Sequence, residues 1–337
     1  MNQASPLPGW NETIQAHASR NPGLTIARVA GQEKDLYALW TSSGVITGRV
    51  SGKWIHESHS PLDFPGVGDW VGVEIIDDFA VIHVLVPRKS VLERKSAGLT
   101  SAGQLIAANV DIVFLCMSMN ENYNLRRLER YLAVVWKSGA MPVVILTKLD
   151  LAEDADELIQ QVKAIALGVD VIVVSDRTPQ GFAPLDAMIR PGNTTAFIGS
   201  SGVGKSTIVN HLMDGTIAAT KDVGKAAKGH HTTTSRQMYV TPAGAIIIDT
   251  PGMRELQLDS ADLDAAFEDI DSVAKRCRFA DCAHDQEPGC AVRTAIDDGT
   301  LPLERFQNYR KMQKELLHQE RKQKQADIAL ARWRRHH

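Results

Sequence analysis

A tetrapeptide, Thr147-Lys148-Leu149-Asp150, precedes a GxxxxGKS loop, Gly199-Ser200-Ser201-Gly202-Val203-Gly204-Lys205-Ser206, and no other feature of the chain constrains its fold as strongly. Each motif follows an apolar run, Val143-Val144-Ile145-Leu146 and Thr195-Ala196-Phe197-Ile198. Both therefore belong at strand ends of an α/β sheet, the side on which such sheets bind ligands. P-loop nucleotide domains that carry both motifs ordinarily run the other way round. The two can serve one site here only if the domain is circularly permuted.

The loop has the strand, turn and helix context that a phosphate cradle needs, with a helical stretch expected from Ser206 to Met213. Its glycines let backbone N–H groups converge on phosphate at a helix N-terminus. Lys205 neutralises β- and γ-phosphate oxygens, and the Ser206 hydroxyl is placed to ligate Mg²⁺. Downstream, Asp249-Thr250-Pro251-Gly252 closes the run Ala245 to Ile248. Asp249 is expected to hold Mg²⁺ through water, and the Gly252 N–H to approach the γ-phosphate. Taken alone, this DTPG would read equally well as a turn ending a strand.

Base choice rests on Asp150. A carboxylate accepts two hydrogen bonds at once, matching the N1–H and N2–H₂ donors of guanine, a pair that adenine lacks. Thr147 stands where the commonest form of this motif has asparagine, so one bond that braces the loop is altered. Asp150 can also be read as the cap of a helical run from Ala152 to Leu167. A further strand, Val169 to Val174, leads to Ser175-Asp176, which could support the base through its backbone.

Between the phosphate loop and DTPG, Lys221 to Arg236 is rich in Gly, Lys and Thr, the composition of a loop that orders on a γ-phosphate. One of Thr232, Thr233 and Thr234 should complete the Mg²⁺ shell, and Thr233 is favoured. Met253 occupies the position where many GTPases carry a water-orienting glutamine, so intrinsic hydrolysis should be slow. His231 is the local candidate for that task, with His230 as its competitor.

At 337 residues the chain suggests two or three domains. Its 44% hydrophobic and 23% charged residues fit a globular protein, and no apolar run is long enough to span a membrane. A cytoplasmic monomer is expected. The boundaries read as a flexible leader over 1–22, an OB-like β-barrel over 23–92, the permuted nucleotide domain over 100–260, and a helical zinc-binding domain with a basic tail over 261–337. The barrel follows from short β-type runs at Leu24–Val29, Leu36–Thr41, Val45–Val50, Val71–Ile76 and Ala80–Val86. Such a barrel serves equally as a nucleic-acid platform, a protein-binding module or a structural part. Arg88 to Lys95 reads as a basic connector.

Cys277, Cys282, His284 and Cys290 form C-x4-C-x-H-x5-C. Three thiolates and one imidazole in a short loop suit a closed tetrahedral Zn²⁺ site, structural in kind, whereas a disulfide does not suit a reducing cytosol. The fourth cysteine, Cys116, lies in an apolar strand and reads as core. The net charge of -3 hides a basic end: from Leu301 onward ten Lys or Arg, beginning with Arg305 and Arg310, face four acidic residues. That segment is either an RNA-phosphate contact or a solvated helix face.

The combination of a β-rich segment containing GVGDWV, the order TKLD, GSSGVGKS, HTTT and DTPG, and CRFADCAHDQEPGC closely resembles the ribosome small-subunit-dependent GTPase family, RsgA. The resemblance runs from about Leu24 to the basic tail. It implies a GTPase acting late in assembly of the small (30S) ribosomal subunit, stimulated by that subunit and touching rRNA from both flanking domains. It maps zinc ligands to Cys277, Cys282, His284 and Cys290, nucleotide contacts to Thr147–Asp150 and Gly199–Thr207, and a catalytic histidine to His231. Two other classes remain open: an RNA-binding scaffold that binds GTP without needing hydrolysis, which Met253 favours, and a nucleotide-dependent modifying enzyme or kinase.

Overall fold

The computed structural model describes residues 7–95, 103–175, 177, 181–215, 236–249, 267–279, 281–285, 287–314, 317 and 321. The expected leader is not wholly flexible: Glu12–Arg20 forms helix α1. Asn11 caps it by accepting from the Ile14 N–H at 3.1 Å, and Leu7, Trp10 and Ile14 pack around Ile26, Trp70 and Val86. Trp10 meets Trp70 edge-on at 5.7 Å. A polar, Pro-rich leader is here tied down by a few large apolar groups.

Strands β1 (Thr25–Glu33), β2 (Leu36–Thr41), β3 (Gly44–Val50), β4 (Trp70–Ile76) and β5 (Phe79–Leu85) form the barrel, with α2 (Gly52–Glu57) between β3 and β4. Their order is β1-β2-β3-β5-β4, and pairing of β1 with β4 closes it. All the expected β-type runs are strands. Alternation does the folding: along β2, Tyr37 and Leu39 point inward to Val29, Val71 and Ile82 while their neighbours face out.

The expected basic connector is something else. Val91–Lys95 (β6) pairs with Gly103–Ala108 (β7) as a two-stranded sheet, burying Leu92 and Ile106. Arg88 is withdrawn from solvent: it donates to both oxygens of the fully buried Asp69 carboxylate and to the carbonyls of Leu62 and Phe64. Gly68 makes this junction possible. With φ of +97°, a Cβ there would lie 2.0 Å from the Ala108 carbonyl oxygen.

The nucleotide domain contributes β8 (Ile112–Ser118), α3 (Leu125–Ser138), β9 (Met141–Thr147), α4 (Ala155–Ile165), β10 (Asp170–Val174), α5 (Ala183–Asp186), β11 (Thr194–Ile198), α6 (Lys205–Leu212), β12 (Arg236–Val240) and β13 (Ile246–Asp249). The order is β10-β9-β8-β11-β13-β12, parallel except for β12. Every residue of β8 and β11 is buried, because helices cover both faces: α3 and α4 on one, α5 and α6 on the other. Cys116 lies in this core as expected, its thiol pushed up to about 12 by burial.

The barrel and nucleotide domain share one sheet. β1 bulges between Val29 and Gly31, and beyond the bulge it pairs with β12 through Gly31–Gln237 and Gln32–Arg236. Arg28 fastens the same seam: it is 1% exposed and donates to Thr194 Oγ1 of β11 at 2.7 Å and to the carbonyl of Pro8. Burial lowers its pKa to about 10, against the pull of Asp111 and Asp69.

At the other end, α7 (Glu268–Ala274), α8 (Ala291–Asp297) and a helical stretch over 303–314 pack on α3. Arg305 donates to Asp269 of α7 at 2.6 and 2.7 Å and to Glu129 of α3 at 2.9 Å. It cannot belong to the expected RNA-facing cations, since it is 5% exposed and its partner Glu129 is 2% exposed.

Candidate functional site

The phosphate loop leaves β11 and enters α6. Gly199 passes so close to β8 that a Cβ would stand 2.4 Å from the Cys116 carbonyl oxygen. The helix starts at Lys205 behind Gly204 with no side-chain cap. Its first N–H groups therefore converge where an anion is held. Lys205 Nζ donates to the carbonyls of Gly199 and Ser200 at 2.5 and 2.7 Å, which keeps its charge over the loop. Ser200 Oγ is buried without a hydrogen-bond partner, a cost of about 1–3 kcal/mol that a phosphate oxygen would relieve. The loop residues fit a nucleotide phosphate.

Thr147 and Asp150 approach the loop from the end of β9, across β8 from β11. The Thr147 hydroxyl donates to the Val203 carbonyl at 2.6 Å, so the residue that replaces asparagine still braces the base strand against the phosphate loop. Lys148 takes a left-handed conformation, φ 58° and ψ 44°, a strain of the kind concentrated at binding sites. Asp150 does not cap a helix. Leu149–Leu151 is a 3₁₀ turn, and Asp154 caps α4 by accepting from the Glu157 N–H at 3.0 Å. The helix thus starts later than Ala152. The Asp150 carboxylate is left to face the cavity, where Ser175 Oγ donates to it at 3.3 Å.

One cavity of ≈ 280 Å³ is lined by Thr147, Lys148 and Asp150 together with Gly204 and Thr207 of the phosphate loop and α6. Residues of the Thr147–Asp150 and Gly199–Ser206 motifs line one pocket, the arrangement that a circular permutation allows. Phe182, which carries no motif, lines it too. Larger clefts of ≈ 630 and ≈ 480 Å³ lie on the barrel, bordered by Trp54 and His83 and by Tyr37 and Phe64, away from these residues.

Asp249 ends β13, which pairs with β11 up to Ala196–Ile248, so its carboxylate lies at the same end of the sheet as the phosphate loop. His230, His231, Thr233, Gly252, Met253 and Asp176 lie outside the described residues.

A second candidate site is a metal centre. Cys277, Cys282, His284 and Cys290 bring four ligand atoms within 4.8 Å of one another. His284 Nδ1 lies 3.6 and 3.5 Å from the sulfurs of Cys277 and Cys290, which are 4.0 Å apart. Tetrahedral ligation at ordinary Zn–S and Zn–N lengths requires about 3.5–3.8 Å between donors, so the set fits an ion. It does not fit a disulfide, whose sulfurs stand about 2.05 Å apart. Cys290 also accepts from the Arg293 N–H at 3.5 Å at the start of α8.

Comparison with known proteins decides the family. The RsgA GTPase model matches residues 85–259, and a small-subunit biogenesis GTPase, RsgA 2 of Lactiplantibacillus plantarum, is 45% identical over 313 residues, covering 92% of this chain and 89% of its own. The chain belongs to the RsgA GTPase family. The RsgA of Methanosarcina acetivorans is 41% identical over 335 residues, covering 97% of this chain and 88% of its own. A model of 50S ribosome-binding GTPases also matches residues 194–330. Among solved structures, YjeQ from Thermotoga maritima shares the fold with a TM-score of 0.65 at 24% identity, covering 87% of this chain and 98% of its own. YloQ, described as a circularly permuted GTPase, has a TM-score of 0.63 at 24% identity, covering 88% and 96%. The permuted RsgA fold carries the site described above. No helix among the described residues is long and apolar enough to cross a membrane.

Proposed function

We propose that this chain hydrolyses GTP to GDP and phosphate during late maturation of the small ribosomal subunit, in the cytoplasm, and that the subunit stimulates the reaction. The observation that carries the reading is the single cavity shared by Asp150 and the phosphate loop. The names of the RsgA relatives supply the ribosomal partner.

In this reading Asp150 accepts the guanine N–H groups, while Lys148 and Leu149 shape the turn that presents it. Lys205 and the amides of Gly199 to Thr207 hold the phosphates. Ser206, Asp249 and Thr233 would hold Mg²⁺, which when bound offsets charge on the β- and γ-phosphates. The Gly252 N–H reaches the γ-phosphate, and His231 orients the attacking water, since Met253 cannot. Cys277, Cys282, His284 and Cys290 hold one structural Zn²⁺. The barrel and the basic end, where Lys311 and Lys314 remain exposed, contact rRNA.

The test is GTP turnover with purified small and large subunits, together with co-sedimentation in GDP and in a non-hydrolysable analogue. Small subunits should raise turnover and bind better with the analogue. Binding without stimulation would favour the scaffold reading. Preference for the large subunit would favour the function named by the second family model.

Removal of metal should act locally. Cys282→Ser is expected to lower zinc to well below one ion per chain and to unfold the segment around α8, because ligation and folding are coupled there. Metal analysis and hydrogen exchange check this, and an unchanged zinc content would refute the ligand set.

A further inference from the structure

Phe182 stands at the head of α5, after a turn that no nucleotide motif describes, yet it lines the same cavity as Lys148 and Asp150. Its ring stacks on that of His211 at 4.3 Å, with an interplanar angle of 21°. His211 lies in the last turn of α6, the helix that begins at the phosphate loop, and its Nε2 is 2.8 Å from Asp186 Oδ1 at the end of α5. Phe182 also packs against the core beneath α5 and α6. Its ring is thus held by a histidine that is itself oriented by a carboxylate.

A guanine read by Asp150 needs more than acceptors. Its hydrogen bonds strengthen when water is excluded, and its faces are apolar and stack on aromatic rings. Among the cavity residues the charged and polar groups come from β9 and its following turn, from Ser175 and Arg177 after β10 and from Thr207 of α6, and the aromatic one is Phe182. We infer that Phe182 is a base-positioning residue of the nucleotide site, forming the apolar wall against which the purine rests, with His211 and Asp186 as positioning residues that act through it. The inference rests on the reading of Asp150 as the guanine contact. It also gives α6 two duties: its first turn holds phosphate while its last turn, through His211, sets the base wall.

The test is GDP affinity by calorimetry on the full chain, with inorganic pyrophosphate and magnesium as a probe of the phosphate loop alone. Phe182→Ala should weaken GDP about 10- to 100-fold, as loss of one base–aromatic stack does, and leave pyrophosphate binding within about twofold. Phe182→Tyr should restore GDP binding. Phe182→Leu keeps the buried volume but not the flat ring, so it should fall between them, and it serves where the alanine variant does not fold. His211→Gln should weaken GDP less than Phe182→Ala does, and have no further effect when combined with it. An unchanged GDP affinity in Phe182→Ala, or an equal loss for GDP and pyrophosphate, would overturn the inference. Asp150→Asn separates the two readings. If it weakens GDP while Phe182→Ala does not, the base wall alone is wrong; if it leaves GDP unaffected, the guanine assignment itself fails.

Discussion

Lys205→Ala should lower subunit-stimulated GTP turnover at least about 100-fold, the scale seen when one preorganised donor to a developing charge is removed. The lysine starts α6, and its ammonium lies against the carbonyls of Gly199 and Ser200, the loop that wraps the phosphates. Its charge is placed before substrate arrives, so little reorganisation is needed at the transition state. Alanine keeps the helix start and the loop glycines but leaves the phosphate charge facing amides alone. Single-turnover hydrolysis with small subunits reads the loss, and thermal melting should show little change because Lys205 anchors no core. Wild-type turnover would contradict the phosphate-loop assignment.

Arg305→Ala should destabilise the docking of the segment that carries the Cys277, Cys282, His284 and Cys290 cluster by about 3–5 kcal/mol, the cost of leaving a buried charge without its partner. Arg305 joins Asp269 to Glu129, lies over the Phe267 ring at 4.8 Å, and has Asn308 beside it donating to the second oxygen of Glu129 at 3.0 Å. Burial alone already holds the Glu129 carboxyl above its usual range, and Arg305 works against that. Without the guanidinium, Glu129 must take up a proton or drag water into the seam between α3 and the last helices. Denaturant unfolding followed by hydrogen exchange in α7, α8 and α3 measures the effect. Zinc content should persist, since the ligands lie elsewhere. A change below about 1 kcal/mol would mean that the pair behaves as a solvated surface bridge.

The same arginine shows how composition misleads. In the sequence it is the first of ten basic residues in an end segment suited to RNA, and only its seat between two carboxylates removes it from that set. Arg88 repeats the lesson: a basic link by sequence, it is largely withdrawn from solvent as a tie to the fully buried Asp69. Asp150 is the converse case: its sequence also suits a helix cap, but Asp154 caps α4 and Asp150 keeps its carboxylate for the cavity.

What the sequence determined by itself is whatever a few consecutive residues enforce. Strand ends follow from apolar runs, the phosphate loop from glycines and a lysine at set intervals, and the metal cluster from four ligands within one short segment. The permutation also belongs here, because it is an order of motifs and needs no coordinates. The tertiary structure decided which of these parts are fastened together. Thr147 to Val203, Arg28 to Thr194 and Arg305 to Glu129 join residues 56, 166 and 176 positions apart, and β1 extends the nucleotide sheet through β12. Such pairs leave no local pattern. A threonine reads alike whether or not its hydroxyl meets a distant carbonyl, and an arginine reads alike in water or in a seam, because the partner and the burial that give it meaning exist only once the chain has folded.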